Sequence, residues 1–127
     1  MPRILIAEDE KDIRELIAFT LRFAGFDVLL ATNGMEAVEV AEAERPDLVI
    51  LDVRMPKMSG YEACRRLKEN SQTAALPVVF LSAKGQDSEV QQGLESGAEE
   101  YILKPFAPDE LIQQVRDILN RHTQSET

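Results

Sequence analysis

The chain has 127 residues, which fits one domain built on one core. It is 44% hydrophobic and 29% charged, an ordinary globular composition, and no apolar run approaches the roughly 20 residues of a membrane span. Its net charge of -9 opposes nucleic-acid binding through this domain, because phosphate backbones recruit Lys and Arg. A separate DNA-binding domain in a longer parent chain stays open.

Taken in chain order, short apolar runs alternate with helical spacing. Ile4-Leu5-Ile6-Ala7 is the first expected strand, and with its start near Arg3 no secretory leader is expected. Ile13, Leu16, Ile17, Thr20, Leu21 and Ala24 follow the i, i+3, i+4, i+7 rule of an amphipathic helix, which Gly25 can end. Val28-Leu29-Leu30-Ala31 is the second strand. Asn33-Gly34 opens a second helix with a weaker face of Ala37, Val38 and Ala41. Pro46 separates that helix from Leu48-Val49-Ile50-Leu51, a continuous run that suits a strand buried on both faces. Ala63, Cys64 and Leu67 mark a third helix. Pro77 begins the strand Val78-Val79-Phe80-Leu81, where its missing N–H is tolerable. Val90, Leu94 and Gly97 mark a fourth helix, Tyr101-Ile102-Leu103 a fifth strand, and Leu111, Ile112, Val115, Ile118 and Leu119 the face of a fifth helix. The tail "RHTQSET" is polar and expected to fray, with His122 solvated. The domain is therefore read as residues 1–121, followed by a polar tail over 122–127.

A strand–helix unit repeated five times predicts an α/β fold. Its sheet has five parallel strands, helices cover both faces, and the crossovers are right-handed. The single cysteine, Cys64, cannot form an internal disulfide and fits a reducing cytoplasm. It reads as a small buried helix residue rather than a nucleophile.

In a parallel sheet every strand ends at the same edge. Glu8 and Asp9 follow the first run, Asp52 the third, Ser82 the fourth and Lys104 the fifth. Open α/β sheets bind ligands at that edge, where strand order reverses. With an assumed order of 2-1-3-4-5 the reversal falls between the first and third strands, which carry the three acids. Clustered carboxylates repel, and burial sharpens the repulsion. Oxygen ligands without His or Cys suit a hard cation, and the spacing is unlike a calcium loop. Mg2+ fits, with Mn2+ as a substitute. An aspartate can also act as nucleophile and form an aspartyl phosphate, with Lys and Ser meeting the phosphoryl oxygens. Each residue also has a plainer use. Asp52 can start a turn, Ser82 can cap a strand, Lys104 can lie at the surface, and Tyr101 can simply pack. Gly60 suits backbone geometry, and Met55 and Met58 suit loop packing.

Together the motifs "AEDE" (Glu8, Asp9), "LDVRMPKMSG" (Asp52), "LSAK" (Ser82) and "YILKPF" (Lys104-Pro105) resemble a response-regulator receiver domain of two-component phosphorelay signalling. The likeness runs from about Arg3 to Leu119. It implies a flavodoxin-like (βα)5 three-layer sandwich of order 2-1-3-4-5. It implies that Asp52 accepts a phosphoryl group from a sensor histidine kinase or phosphotransfer protein. It further implies that Asp9, Asp52 and the backbone carbonyl of Arg54 ligate Mg2+, with Glu8 helping through water. Lys104 would pair with the phosphoryl oxygens, Ser82 would move to bond them, and Tyr101 would follow inward as a switch. The output surface would be the fourth helix, fifth strand and fifth helix, acting on a downstream protein or a fused output domain. The Lys104-Pro105 bond is usually cis in such domains. The expected location is the cytoplasm, with no membrane and no direct nucleic-acid contact.

Small departures are informative. Ser82 stands where Thr is frequent, and Ser59 where an acid is frequent. Arg54 and Lys84 stand two positions after Asp52 and Ser82, positions that tune phosphoryl lifetime in the family. Their long basic chains are expected to cover the phosphoryl group and slow water. Small Ala83 should leave room for phosphodonors. A haloacid dehalogenase-like phosphohydrolase would need an acid–base Asp at the position of Arg54. A nucleotide or flavin module would need a Gly-rich cradle where "AEDEKD" stands. A phosphate-independent adaptor would normally lack one of the five site residues. The expected molecule is therefore a signalling switch, with self-phosphorylation and slow self-dephosphorylation, rather than an enzyme.

Overall fold

A computed structural model describes residues 2–83, 100–104 and 106–125. Its elements are β1 (Arg3–Ala7), α1 (Lys11–Phe23), β2 (Asp27–Ala31), α2 (Gly34–Glu44), β3 (Leu48–Asp52), α3 (Gly60–Glu69), β4 (Val78–Ala83), β5 (Glu100–Lys104) and a C-terminal helix, α4 (Pro108–Ser125). The fourth helical segment expected around Val90 and Leu94, together with Lys84 and Pro105, lies outside the described residues.

The five strands form one sheet of order β2-β1-β3-β4-β5. Every neighbouring pair is parallel. The expected order is therefore observed, and the reversal falls at β1, which pairs with both β2 and β3.

The side-chain period of two in a strand divides the core between the faces of the sheet. Leu5, Ala7, Val49, Leu51, Val78 and Phe80 pack with Ala37 and Ala41 of α2 and Ala63, Cys64 and Leu67 of α3. Their neighbours Ile4, Ile6, Leu48, Ile50, Val79, Leu81 and Ile102 pack with Ile17 and Leu21 of α1 and Leu111, Val115 and Ile118 of α4. The central strands are apolar at consecutive positions because both faces are covered. Each such Leu or Ile contributes about 1.5–3 kcal/mol on leaving water.

Local chemistry sets the helix ends. Gly25 follows α1 with φ 98°, the left-handed position that a side chain resists. Asn33 caps α2 by accepting from Glu36 N–H at 2.8 Å, and Ser59 caps α3 by accepting from Glu62 N–H at 3.2 Å.

One expectation is corrected. The helical repeat puts Leu16 on the buried face of α1, yet it is 50% exposed. The buried arc runs through Ile17, Ala18, Thr20 and Leu21, one position round, and Thr20 satisfies its hydroxyl by donating to Leu16 O at 2.8 Å. The last helix, α4, runs to Ser125. No Gly or Pro follows Pro108, so nothing in the chain breaks the helix at residue 122.

Candidate functional site

Sheet pairing carries the acids to their positions. The ladder continues past β1, with Glu8 N–H donating to Ala31 O at 3.1 Å. Asp52 is the last residue of β3, in register with Leu81, and Val53 N–H donates to Leu81 O at 3.1 Å. Asp52 thus stands on the final pleat of β3, while Glu8 and Asp9 lie just past the end of β1. One carboxylate oxygen from each of Glu8, Asp9 and Asp52 lies within 4.8 Å of the others. Glu8 is fully buried and Asp52 is 5% exposed, while Asp9 faces solvent.

The turn after β1 is fastened from two sides. Glu10 N–H donates to Glu8 Oε2 at 3.2 Å. Arg14, on the first turns of α1, donates through Nη1 to the carbonyl oxygens of Glu8 at 2.9 Å and Asp9 at 3.4 Å. Sequence reasoning missed Arg14. Its only signal was a cation about one helical turn beyond an acid pair, which many solvated helix faces share.

Three carboxylates at this separation repel, and burial of two of them strengthens the repulsion. An oxygen-only donor set with one open side matches the chemistry of a small hard cation. The residues present fit a Mg2+ site on that test.

Ser82 and Lys104 stand at the same sheet edge, and Tyr101 lies further back along β5. Ser82 is buried near the end of β4, in register with Leu103. Lys104 is the last residue of β5, its backbone in register with Ala83. Tyr101 is half-buried, with its ring 5.7 Å from that of Phe80, which in turn lies 5.2 Å from Tyr61. Gln114 of α4 donates to Tyr101 O at 3.2 Å and ties β5 to the C-terminal helix. Arg54 is exposed at the start of the loop between β3 and α3.

That loop returns to its origin. Gly60 N–H donates to Val53 O at 3.1 Å, and a Cβ on Gly60 would sit 2.3 Å from Asp52 O. Only glycine allows this approach. Met58 is buried and Met55 packs against the same cluster, as loop packing requires. Cys64 is buried in α3, and burial pushes its thiol up to about 11 against the opposing pull of Lys68 and Arg65. It is a protonated packing residue, not a nucleophile.

The three acids stand at the edge of the sheet where strand order reverses, in a chain similar to proteins of one kind. The family model described as "Response regulator receiver domain" matches residues 4–116. The DNA-binding dual master transcriptional regulator RpaA of Synechocystis sp. is 41% identical over 121 residues, 95% of this chain and 50% of that protein. The phosphate regulon transcriptional regulatory protein PhoB of Pseudomonas aeruginosa is 45% identical over 118 residues, 93% of this chain and 52% of that protein. The chain thus spans about half the length of the curated relatives it matches. Among solved structures, the chemotaxis response regulator CheY4 of Vibrio cholerae superposes with a TM-score of 0.88 at 32% identity, covering 93% of this chain and 98% of that one. The receiver domain of a signal transduction histidine kinase from Syntrophus aciditrophicus gives 0.88 at 36% identity, with 94% and 91% covered. No described helix is long and apolar enough to cross a membrane. The chain belongs to the response regulator receiver domain family, the signalling switches of two-component systems.

Proposed function

We propose that Asp52 is the phosphoacceptor of this receiver and that the phosphoryl group biases the surface formed by β5, the C-terminal helix α4 and the expected fourth helical segment. The observation that carries the reading is the packing of Glu8, Asp9 and Asp52 within 4.8 Å at the reversal edge of the sheet. A carboxylate oxygen of Asp52 attacks the phosphorus of a phosphohistidine on a sensor kinase or phosphotransfer protein. The new O–P bond forms as the P–N bond breaks, and the imidazole leaves. Asp9, Asp52 and the Arg54 carbonyl would hold Mg2+, with Glu8 acting through water. When bound, the ion supplies positive charge that offsets the carboxylates and the phosphoryl oxygens. Ser82 donates its hydroxyl to a phosphoryl oxygen, and Lys104 supplies the cation that meets another.

The transferred group adds about −1.5 to −2 charges and new acceptor oxygens. Those oxygens favour any packing in which Ser82 reaches them. Tyr101 follows because its ring already lies against Phe80, two positions before Ser82 on β4. A bias between two packings shifts their populations and alters the surface offered to a downstream protein or an attached output domain. RpaA and PhoB are named as transcriptional regulators, which supports an attached output as the target. Arg54 and Lys84 cover the phosphoryl group and slow water. A faster loss of phosphate in Arg54→Ala/Lys84→Ala supports that role, and an unchanged rate removes it.

Titration of 15N-labelled protein with Mg2+ and beryllofluoride, a phosphoryl mimic that needs no donor chemistry, tests the whole reading. Amide shifts at Asp52, Ser82 and Tyr101, absent in Asp52→Asn, are expected. A spectrum that does not respond leaves a phosphate-independent adaptor.

A further inference from the structure

The first residue of α2 touches the acceptor loop backbone to backbone. A Cβ built on Gly34 would lie 2.1 Å from Met58 O and 2.8 Å from Met58 C. That distance is far inside contact, so α2 and the loop between β3 and α3 cannot both stay in place if residue 34 carries a side chain.

The partner that yields is decided by how each side is held. The start of α2 is locked by a reciprocal pair, in which Asn33 Oδ1 accepts from Glu36 N–H at 2.8 Å and Glu36 Oε1 accepts from Thr32 N–H at 3.0 Å. Ala37 and Ala41 then bury the helix against the sheet. The loop is held at its ends by the Val53–Leu81 and Gly60–Val53 bonds. Its middle is a tight turn, with Met58 N–H donating to Pro56 O at 2.7 Å around Lys57 at φ 67°, a conformation strained for a residue with a side chain. Arg54, Pro56 and Lys57 are exposed. The loop is the softer side.

We infer that Gly34 is a positioning residue for the cation site, acting through the Met58 carbonyl to fix the course of the loop that carries the Arg54 carbonyl. This rests on the reading of that carbonyl as a ligand. Supports of this kind typically change metal affinity by about 10- to 100-fold when disturbed, and a comparable loss is expected here.

The test is Mn2+ binding to wild type, Gly34→Ala, Lys57→Gly and the double variant, followed by electron paramagnetic resonance, with thermal unfolding of each. Gly34→Ala should fold and bind Mn2+ about 10-fold or more weakly. Lys57→Gly relieves the turn and should bind within about two-fold of wild type, since glycine accepts positive φ. The double variant should regain stability yet keep the weak affinity, because the loop relaxes without returning. A merely structural role predicts lower unfolding temperatures with unchanged affinity of the folded protein, and that result overturns the inference. So does failure of both Gly34 variants to fold, since the loop would then not be what yields. No Mn2+ binding by wild type overturns the proposed cation site and the inference together, whereas wild-type binding with unaltered Gly34→Ala affinity overturns the inference alone.

Discussion

The two edges of the sheet treat charge in opposite ways. At the N-terminal edge, Arg3 pairs with Glu44 at 3.1 Å and its guanidinium donates to the Glu44 carbonyl at the end of α2. Its backbone N–H donates to Asp47 at 2.8 Å, and nearby Lys68 donates to the carbonyls of Ala74 at 3.2 Å and Leu76 at 2.8 Å. Arg3 and Lys68 are each set against an opposite charge or a carbonyl dipole. At the C-terminal edge three carboxylates are drawn together instead, two of them buried. The chain places an ion pair along one edge and gathers three acids at the other. Such an arrangement costs stability and is kept where a ligand compensates it.

The contrast can be broken at several points, beginning with the strongest. Gly60→Ala should lower stability by about 3 kcal/mol or more in chemical denaturation, because the new methyl meets the Asp52 carbonyl on a strand that cannot move. Mg2+ at about a hundred times its dissociation constant should raise the unfolding free energy of wild type by about 2.7 kcal/mol. The same addition to Asp52→Asn should do much less. In chelator, Asp52→Asn should be more stable than wild type by about 1–3 kcal/mol, since it removes one of three like charges in a partly buried cluster. Arg3→Ala should shift stability the other way, by about 0.5–1 kcal/mol, and less at high salt, because its pair is largely solvated. If the two substitutions changed stability in the same direction, the contrast between the edges would be wrong.

A smaller effect follows from Cys64. Its thiol is held up at about 11 by burial, above the ordinary 9.0. The neutral form is favoured in the folded state, so the contribution is complete below pH 9.0 and is lost as pH rises toward about 11. Alkylation at pH 8 should be slow in native protein and fast in denaturant. Equal rates would place the thiol at the surface.

Much of this was legible in the sequence. The strands were read from runs such as Leu48–Leu51, because a sheet covered on both faces needs consecutive apolar residues. The polar residues at their ends were read as following the strands, while the ladder in fact continues through Asp52 and Ser82. Pairing registers are long-range, so the last residue of a strand is not visible in its own neighbourhood. Arg14 and Gly34 escaped for the same reason. One acts on carbonyls of the preceding turn, and the other on the carbonyl of Met58, far along the chain. Leu16 was misplaced because a helical repeat gives the period of an apolar face but not the edge of its buried arc. The exposed Phe19 and Phe23, whose rings stack at 6.5 Å, likewise carried no periodic signal.

The most direct measurement of the central claim is the intact mass of the protein after incubation with acetyl phosphate and Mg2+, beside Asp52→Asn and a chelator control. A gain of one phosphoryl group in wild type alone, dependent on the metal, is the predicted result. The same gain in Asp52→Asn would contradict the assignment of Asp52 as acceptor and move the search to another side chain.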